Sequence, residues 1–466
     1  MDKLKKKFGE IFNDKRFYRK LLFLSVPIVM QNLITSSLNM LDTMMIGSLG
    51  EVELAAVGIA NQYYFLFSLI IMGISSGASV FISQLWGKKD KVNIKKTLGI
   101  GVMSGILISL VFTFVAVAMP EKIIGIFNTD ANVIKIGSEY LVIASISYIF
   151  TSITFNYAAA SRSVEDTIVP MLGSFVALCL NGILNYALIF GKLGAPALGV
   201  SGAAIATVVA RVAETIIIIG YIYIKKGILA ARLHEMFNVS LSLVKKVYVT
   251  ITPVLLNEAC WGLGNVTYAV IYGRMGTYAT ASVQICSTVL NLFMIATFGL
   301  ANASVVVIGK EIGCNNEERG KLYAIRLCAT SVIMGVFLAV ILAVSAESIL
   351  SIFKVSNRAY YNSIRILLFY AFVMPIKVYT GIMIVGILRG GGDAKFGTIL
   401  QGITLWGIGI PLSFIAAFVF NLEVYVVVAI TGIEEIIKLI FINRRFKSNK
   451  WINNVINDIE LSKNMG

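Results

Sequence analysis

Apolar residues run along this chain in blocks long enough to cross a bilayer, at roughly 20 residues per span. Twelve such blocks predict helices near residues 21–47, 53–83, 98–119, 136–158, 167–190, 198–224, 247–272, 278–309, 322–345, 363–387, 395–420 and 424–442. The first has the most telling interruptions. In LLFLSVPIVMQNLITSSLNMLDTMMIGSLG (21–50), Asn32, Thr35, Asn39 and Asp42 recur at steps of 3, 4 and 3, which is one helical face. An isolated carboxylate in hydrocarbon is expensive, so this face is expected to turn toward the bundle interior or a wet cavity.

The pattern returns in VTITPVLLNEACWGLGNVTYAVIYGRMG, where the same face carries Glu258, Trp261, Asn265 and Tyr268. An offset of 226 aligns the two halves without a gap from Pro27 to Gly87. Pro27 then meets Pro253, Asn39 meets Asn265, Gly47 meets Gly273 and Gly73 meets Gly299. One residue out of phase, Arg162 and Asp166 meet Arg389 and Asp393. An even number of spans per half makes the repeats parallel, related by an axis along the membrane normal. The expected fold is an all-α integral membrane protein of twelve transmembrane helices, in two pseudo-symmetric six-helix lobes around a central cleft. The N-terminal lobe is expected at 1–224, a charged cytoplasmic linker with a partly amphipathic helix at 225–246, and the C-terminal lobe at 247–466.

Composition agrees: 57% of residues are hydrophobic and 14% charged, where a soluble domain carries about 25% charged. A net charge of +15 would fit nucleic acid, but its distribution argues for a membrane. Of 40 lysines and arginines, 29 fall in one set of alternate loops and termini and 7 in the opposite set. That asymmetry places both termini in the cytoplasm of a multi-pass protein of the cell inner (plasma) membrane, and no nucleic-acid partner is expected. The lysine-rich start leads into a full span, as an uncleaved anchor does. Five scattered cysteines and the single His234 offer no metal-ligand spacing, so no metal centre and no catalytic residue are expected. Arg389-Gly-Gly-Gly-Asp lacks the GxxxxGK(S/T) pattern, so it is no phosphate loop and no nucleotide hydrolysis is expected.

Asp42 is the first candidate for carrying a proton or ion. Pro27 and Pro253 remove a backbone donor and let the first and seventh spans bend. Glu258 could bind a cationic substrate or a proton, or sit in an ion pair with Lys377 or an arginine. Asn181 and Asn185, four apart, share a face and could join Asp42 or bridge helices; Asn156 is a further member of that set. Arg211 with Glu214, and Glu434 with Lys438, read as local helix pairs.

Taken in order, Pro27 with LDT around Asp42, SSGASVFISQLWGKKD (76–90), ASRSVEDT (160–167), LNGILNYALIFG (180–191), LGVSGAAIAT (198–207), Pro253 with Glu258, and LRGGGDAK (388–395) resemble the multidrug and toxic compound extrusion (MATE) transporters. The resemblance covers essentially the whole chain. It implies cation-coupled antiport by alternating access: a proton or sodium ion enters while an organic, often cationic, compound leaves. It implies no other cofactor, and small organic substrates and the bilayer as partners of a monomer. The matching coupling positions are Asp42, Asn181, Asn185 and Thr207, with sodium at Asp42, Asn181 and Asn185 the ion-binding alternative. Asn185 stands where many members carry an acid. Glu258, Asn265 and Tyr268 would form a substrate or proton site in the C-terminal lobe. A lipid-linked precursor flippase is the alternative within the same fold, and a membrane-embedded transferase the alternative outside it.

Overall fold

The computed structural model describes residues 12–353 and 356–457, which are helical almost throughout, with no strand among them. The long helices follow in chain order as α1 (Lys15–Gly47), α2 (Glu51–Gly87), α3 (Lys91–Ala118), α4 (Ala131–Ser145 with Ser147–Ser163), α5 (Ile168–Phe190) and α6 (Gly199–Ile224). The second half repeats the series: α7 (Leu241–Arg274), α8 (Thr277–Gly313), α9 (Glu317–Leu350), α10 (Asn357–Gly381, continuing to Leu388), α11 (Ala394–Phe418) and α12 (Val424–Lys447). Among the described residues, nine helices are long and apolar enough to cross a membrane alone, and the two parts of α4 make a tenth. The other two of the expected twelve are α7, interrupted by Asn257 and Glu258, and α12, interrupted by Glu434, Glu435 and Lys438.

The repeat is visible in the backbone. Each turn before the third helix of a half has a residue in the left-handed region, Lys89 at φ 60° and Asn315 at φ 58°. Each is followed by a side-chain cap. Asp90 accepts from the Asn93 amide at 3.1 Å, and Asn316 from the Arg319 amide at 3.3 Å. Such caps satisfy amides that have no partner inside the helix.

Three helices depart from regularity. The fourth span, expected as one run near 136–158, is bent by 47° at Ile146. Its cause is local: Ser145 and Ser147 turn their hydroxyls back to Val142 O and Ala144 O, and Thr113 of α3 donates to Ser145 O at 2.9 Å. Hydroxyls inserted beside the backbone ladder bend helices. In the second half, α10 ends in a π-helical segment, Ile382–Leu388, and α11 contains another, Leu405–Gly409.

By packing, the chain divides into a first unit, Val26–Leu255, and a second, Leu256–Gly466 with the described residues up to Ser25. The division points lie inside α1 and α7, beside Pro27 and Pro253, so packing units and chain-order lobes differ over residues 12–25 and 225–255. The start of α7 belongs to the first unit because α2 has glycines facing it. A Cβ at Gly73 would come within 2.7 Å of Leu255 Cα, and one at Gly77 within 2.6 Å of Ile251 Cα. The start of α1 belongs to the second, where Phe17 packs on Tyr323 at 4.6 Å between ring centres. The 225–246 stretch contains one short helix, Leu233–Phe237, with Met236 buried and Glu235 held 3.0 Å from Lys95 of α3.

Candidate functional site: a buried polar group in each unit

In the first unit, α1 brings Asp42 against α5. Asn185 Nδ2 donates to Asp42 Oδ1 and, at 3.0 Å, to Asn181 Oδ1. Both asparagines are fully buried, and their four-residue spacing puts them on one face of α5, from which Asn185 reaches α1. From α6, the Thr207 hydroxyl donates to Ala203 O at 3.0 Å and meets the Tyr140 hydroxyl of α4. Tyr140 and Arg211 lie within electrostatic reach of Asp42. Two atoms of the group are buried without a hydrogen-bond partner, Asn185 Oδ1 and Asn181 Nδ2. A buried orphan of this kind calls for an explanation. An unsatisfied amide oxygen beside a carboxylate is the oxygen-rich chemistry that a hydrated proton or a sodium ion completes.

A polar chain leads away from this group. Arg211 is 2.8 Å from Glu214 Oε2, Ser174 donates to Glu214 Oε1 at 2.7 Å, and Gln31 Nε2 donates to Ser174 at 3.2 Å. Arg162 then donates to Gln31 Oε1 at 3.1 Å. From Asp42 to Gln31 this chain follows about 16 Å of α1, at about 1.5 Å per residue. Arg211 is therefore more than the local partner of Glu214 that its spacing predicts. Asn156 stands apart: its amide donates to Ser152 O at 2.9 Å, and its oxygen faces Gly101 of α3.

In the second unit, Glu258 is 2.9 Å from Arg389, and Arg389 also donates to Asn257 Oδ1 at 3.1 Å. The arginine, rather than Lys377, is the partner of this acid. The contact repeats one from the first unit, since Asn257 is the counterpart of Gln31 and Arg389 of Arg162. Both loop arginines thus reach into the first helix of their half, beyond the turn role their loops suggest. Asn265 is exposed, and its amide donates to Trp261 O of its own helix at 2.8 Å. The expected Glu258–Asn265–Tyr268 site is therefore not assembled among the described residues.

Tyr268 joins another cluster. Its hydroxyl donates to Glu434 Oε2 at 3.1 Å. Lys438 Nζ lies 2.5 Å from Glu434 Oε1 and 3.5 Å from Glu435 Oε1. Lys377 is 4.0 Å from Glu435, and Thr380 donates to Glu435 Oε2 at 2.8 Å. Any side chain at Gly409, the last residue of the π segment in α11, would collide with the Tyr268 hydroxyl and the Glu434 carboxylate. Glu435, Lys377 and Thr380 were not legible as a group, because two helices far apart in the chain, α10 and α12, contribute them.

A membrane-spanning helical protein of two repeated halves, each with buried ionisable groups facing between its helices, has the architecture of a secondary transporter. The chain belongs to the MatE family, whose model matches residues 27–187 and 253–415, one stretch in each half. Among curated relatives, the probable multidrug resistance protein YoeA of Bacillus subtilis is 24% identical over 416 residues, covering 87% of this chain and 88% of its own. The probable multidrug resistance protein NorM of Thermotoga maritima is 24% identical over 462 residues, 96% of each chain. Among solved structures, the Vibrio cholerae MATE transporter VcmN in the bent form aligns with a TM-score of 0.82 at 18% identity, over 94% of this chain and 99% of that one. A MOP superfamily transporter from Pyrococcus furiosus, described as having a binding pocket of reverse polarity that suggests a different function, aligns with a TM-score of 0.82 at 17% identity over 92% and 96%. The fold is thus the twelve-helix fold of the MATE transporters.

Proposed function

We propose that the protein exports small organic compounds, often cationic, in exchange for an inward-moving proton or sodium ion, by alternating access. The names of the multidrug resistance relatives support the substrate class. The observation that carries the coupling is the setting of Asp42, on a proline-containing span, held by one amide donor beside an unsatisfied amide oxygen. Binding a proton or sodium ion there neutralises the carboxylate. That weakens a charge-assisted hydrogen bond from Asn185 and the attraction of Arg211. Pro27 supplies no amide hydrogen to the α1 ladder, so the helix has a ready point at which to change its bend when these restraints change. Release of the ion inward restores them. Glu258, already balanced by Arg389, serves to hold α7 in place. The Lys/Arg asymmetry supports a plasma-membrane location with both termini cytoplasmic.

The test is dye efflux from proteoliposomes, with a sodium gradient and a pH gradient applied separately. Efflux is expected under one of the two and lost in Asp42→Asn. Wild-type efflux by that variant would overturn the assignment of Asp42, and no efflux under either gradient would overturn the coupling.

A further inference from the structure

The two units carry opposite charges at matching points of their sixth helices. Aligning α6 with α12 through Leu198/Leu422, Val200/Val424 and Thr207/Thr431 sets Arg211 against Glu435 and Glu214 against Lys438. An arginine–glutamate pair 2.8 Å apart in the first unit thus becomes a glutamate–lysine pair 3.5 Å apart in the second. A second acid, Glu434, and a second base, Lys377, complete the reversed cluster.

Its geometry is that of a coordination sphere. Two carboxylate oxygens converge on the Lys438 ammonium, from Glu434 and Glu435, and that side chain is only 6% exposed. The other oxygen of each carboxylate is held from behind by a hydroxyl, Tyr268 on Glu434 and Thr380 on Glu435. Outer hydrogen bonds of this kind orient ligands around an ion. The backbone marks the same place. Both π segments among the described residues abut the cluster: Ile382–Leu388 starts two residues after Thr380, and Leu405–Gly409 ends at the glycine against Glu434. Such segments are frequent at functional sites.

We propose that this cluster is a monovalent-cation site in which the chain's own Lys438 ammonium takes the place of an ion. The two acids and two lysines sum to zero charge, so the second unit holds a constant charge while the first binds and releases its ion. The proposal stands whether or not Asp42 carries the coupling.

Lys438→Ala removes the built-in cation and leaves its ligands. It is best made in an Asp42→Asn background, which silences the first unit's group. Melting of the purified protein is followed at constant ionic strength in sodium, potassium, ethylammonium or choline chloride. The expected result is a lowered melting temperature in choline and a saturable rise of several degrees with one or more of the three small cations. The Asp42→Asn parent should not respond, and adding Glu434→Gln should abolish the response. A monodisperse Lys438→Ala protein that melts identically in all four salts would overturn the proposal. If that variant folds only when prepared in a small cation, the proposal is supported. If no cation recovers it while the charge-matched Glu434→Gln/Lys438→Met protein folds, the site does not accept an ion and the proposal fails.

Discussion

Asp42, half-buried, and Glu434, buried, are both acids packed between helices of their own unit, yet their surroundings have little in common. Asp42 receives one amide hydrogen bond, and the nearest cation, Arg211, is engaged by Glu214. Beside it an amide oxygen has no partner. Glu434 has each oxygen occupied, one by a phenol and one by an ammonium. The halves share the turn before their third helix, with the left-handed Lys89 and Asn315 followed by the caps Asp90 and Asn316. They do not share their charges. A duplicated scaffold can therefore confine ion exchange to one half while the other holds a fixed internal balance. The unsatisfied site is the one in which gaining a proton or ion removes a cost.

The largest expected effect is on transport. Asp42→Asn should reduce gradient-driven efflux to that of empty liposomes, while Glu258→Gln with Arg389→Gln should retain a measurable rate. Equal loss in both would erase the distinction between the units. Next come the two loop arginines. Arg389→Ala leaves Glu258 buried and unpaired, at about 3–5 kcal/mol. Arg162→Ala removes a bond to a neutral amide, about 1.5–3 kcal/mol. Unfolding of the detergent-solubilised variants should rank them in that order, and the reverse order would show that the Glu258 pair is not the tighter restraint. Gly409→Ala forces a methyl between Tyr268 and Glu434 and should cost about 1–3 kcal/mol by overpacking, read as a lowered melting temperature.

The smallest effect lies outside the membrane. Asp14 accepts from the Phe17 amide at 3.0 Å and pairs with Arg326 at 2.6 Å. The amide first, and then the arginine, hold its carboxyl below the usual range against the opposing effect of burial. A depressed folded pKa means that the stabilisation is complete above the unfolded value of about 3.9 and is lost as pH falls through the lower folded value. Asp14→Asn keeps an oxygen that can accept from the Phe17 amide but removes the charge that faces Arg326, and should cost at most about 1 kcal/mol near neutral pH. The gap to wild type should close in acid. A gap independent of pH would show that the charge contributes nothing.

Much of this was legible in the chain. Apolar runs located the spans, and the 226-residue offset located the repeat, because spacing alone encodes both. The Asp42–Asn181–Asn185 group was legible too, from one helical face and from family resemblance. What stayed hidden depended on distance in the chain. Arg389 lies 131 residues beyond Glu258, and no local pattern joins them. Arg211 and Lys438 had acids at helical spacing, and that near partner concealed what else each touches. The bend in α4 was hidden because serine hydroxyls select backbone carbonyls in a way that hydrophobic periodicity does not record.

The π segment Ile382–Leu388 bears on how the halves came to differ in length. At Gly87 and Gly313 the copies are 226 residues apart; at Arg162 and Arg389 they are 227 apart. The segment lies inside the interval where that extra letter enters, and a wider turn absorbs one residue without breaking the rod. Deleting a single residue there would rewind everything beyond it by about 100°. Arg389 would then swing off Asn257 and Glu258, so the aim of that guanidinium is set by a miscounted turn upstream.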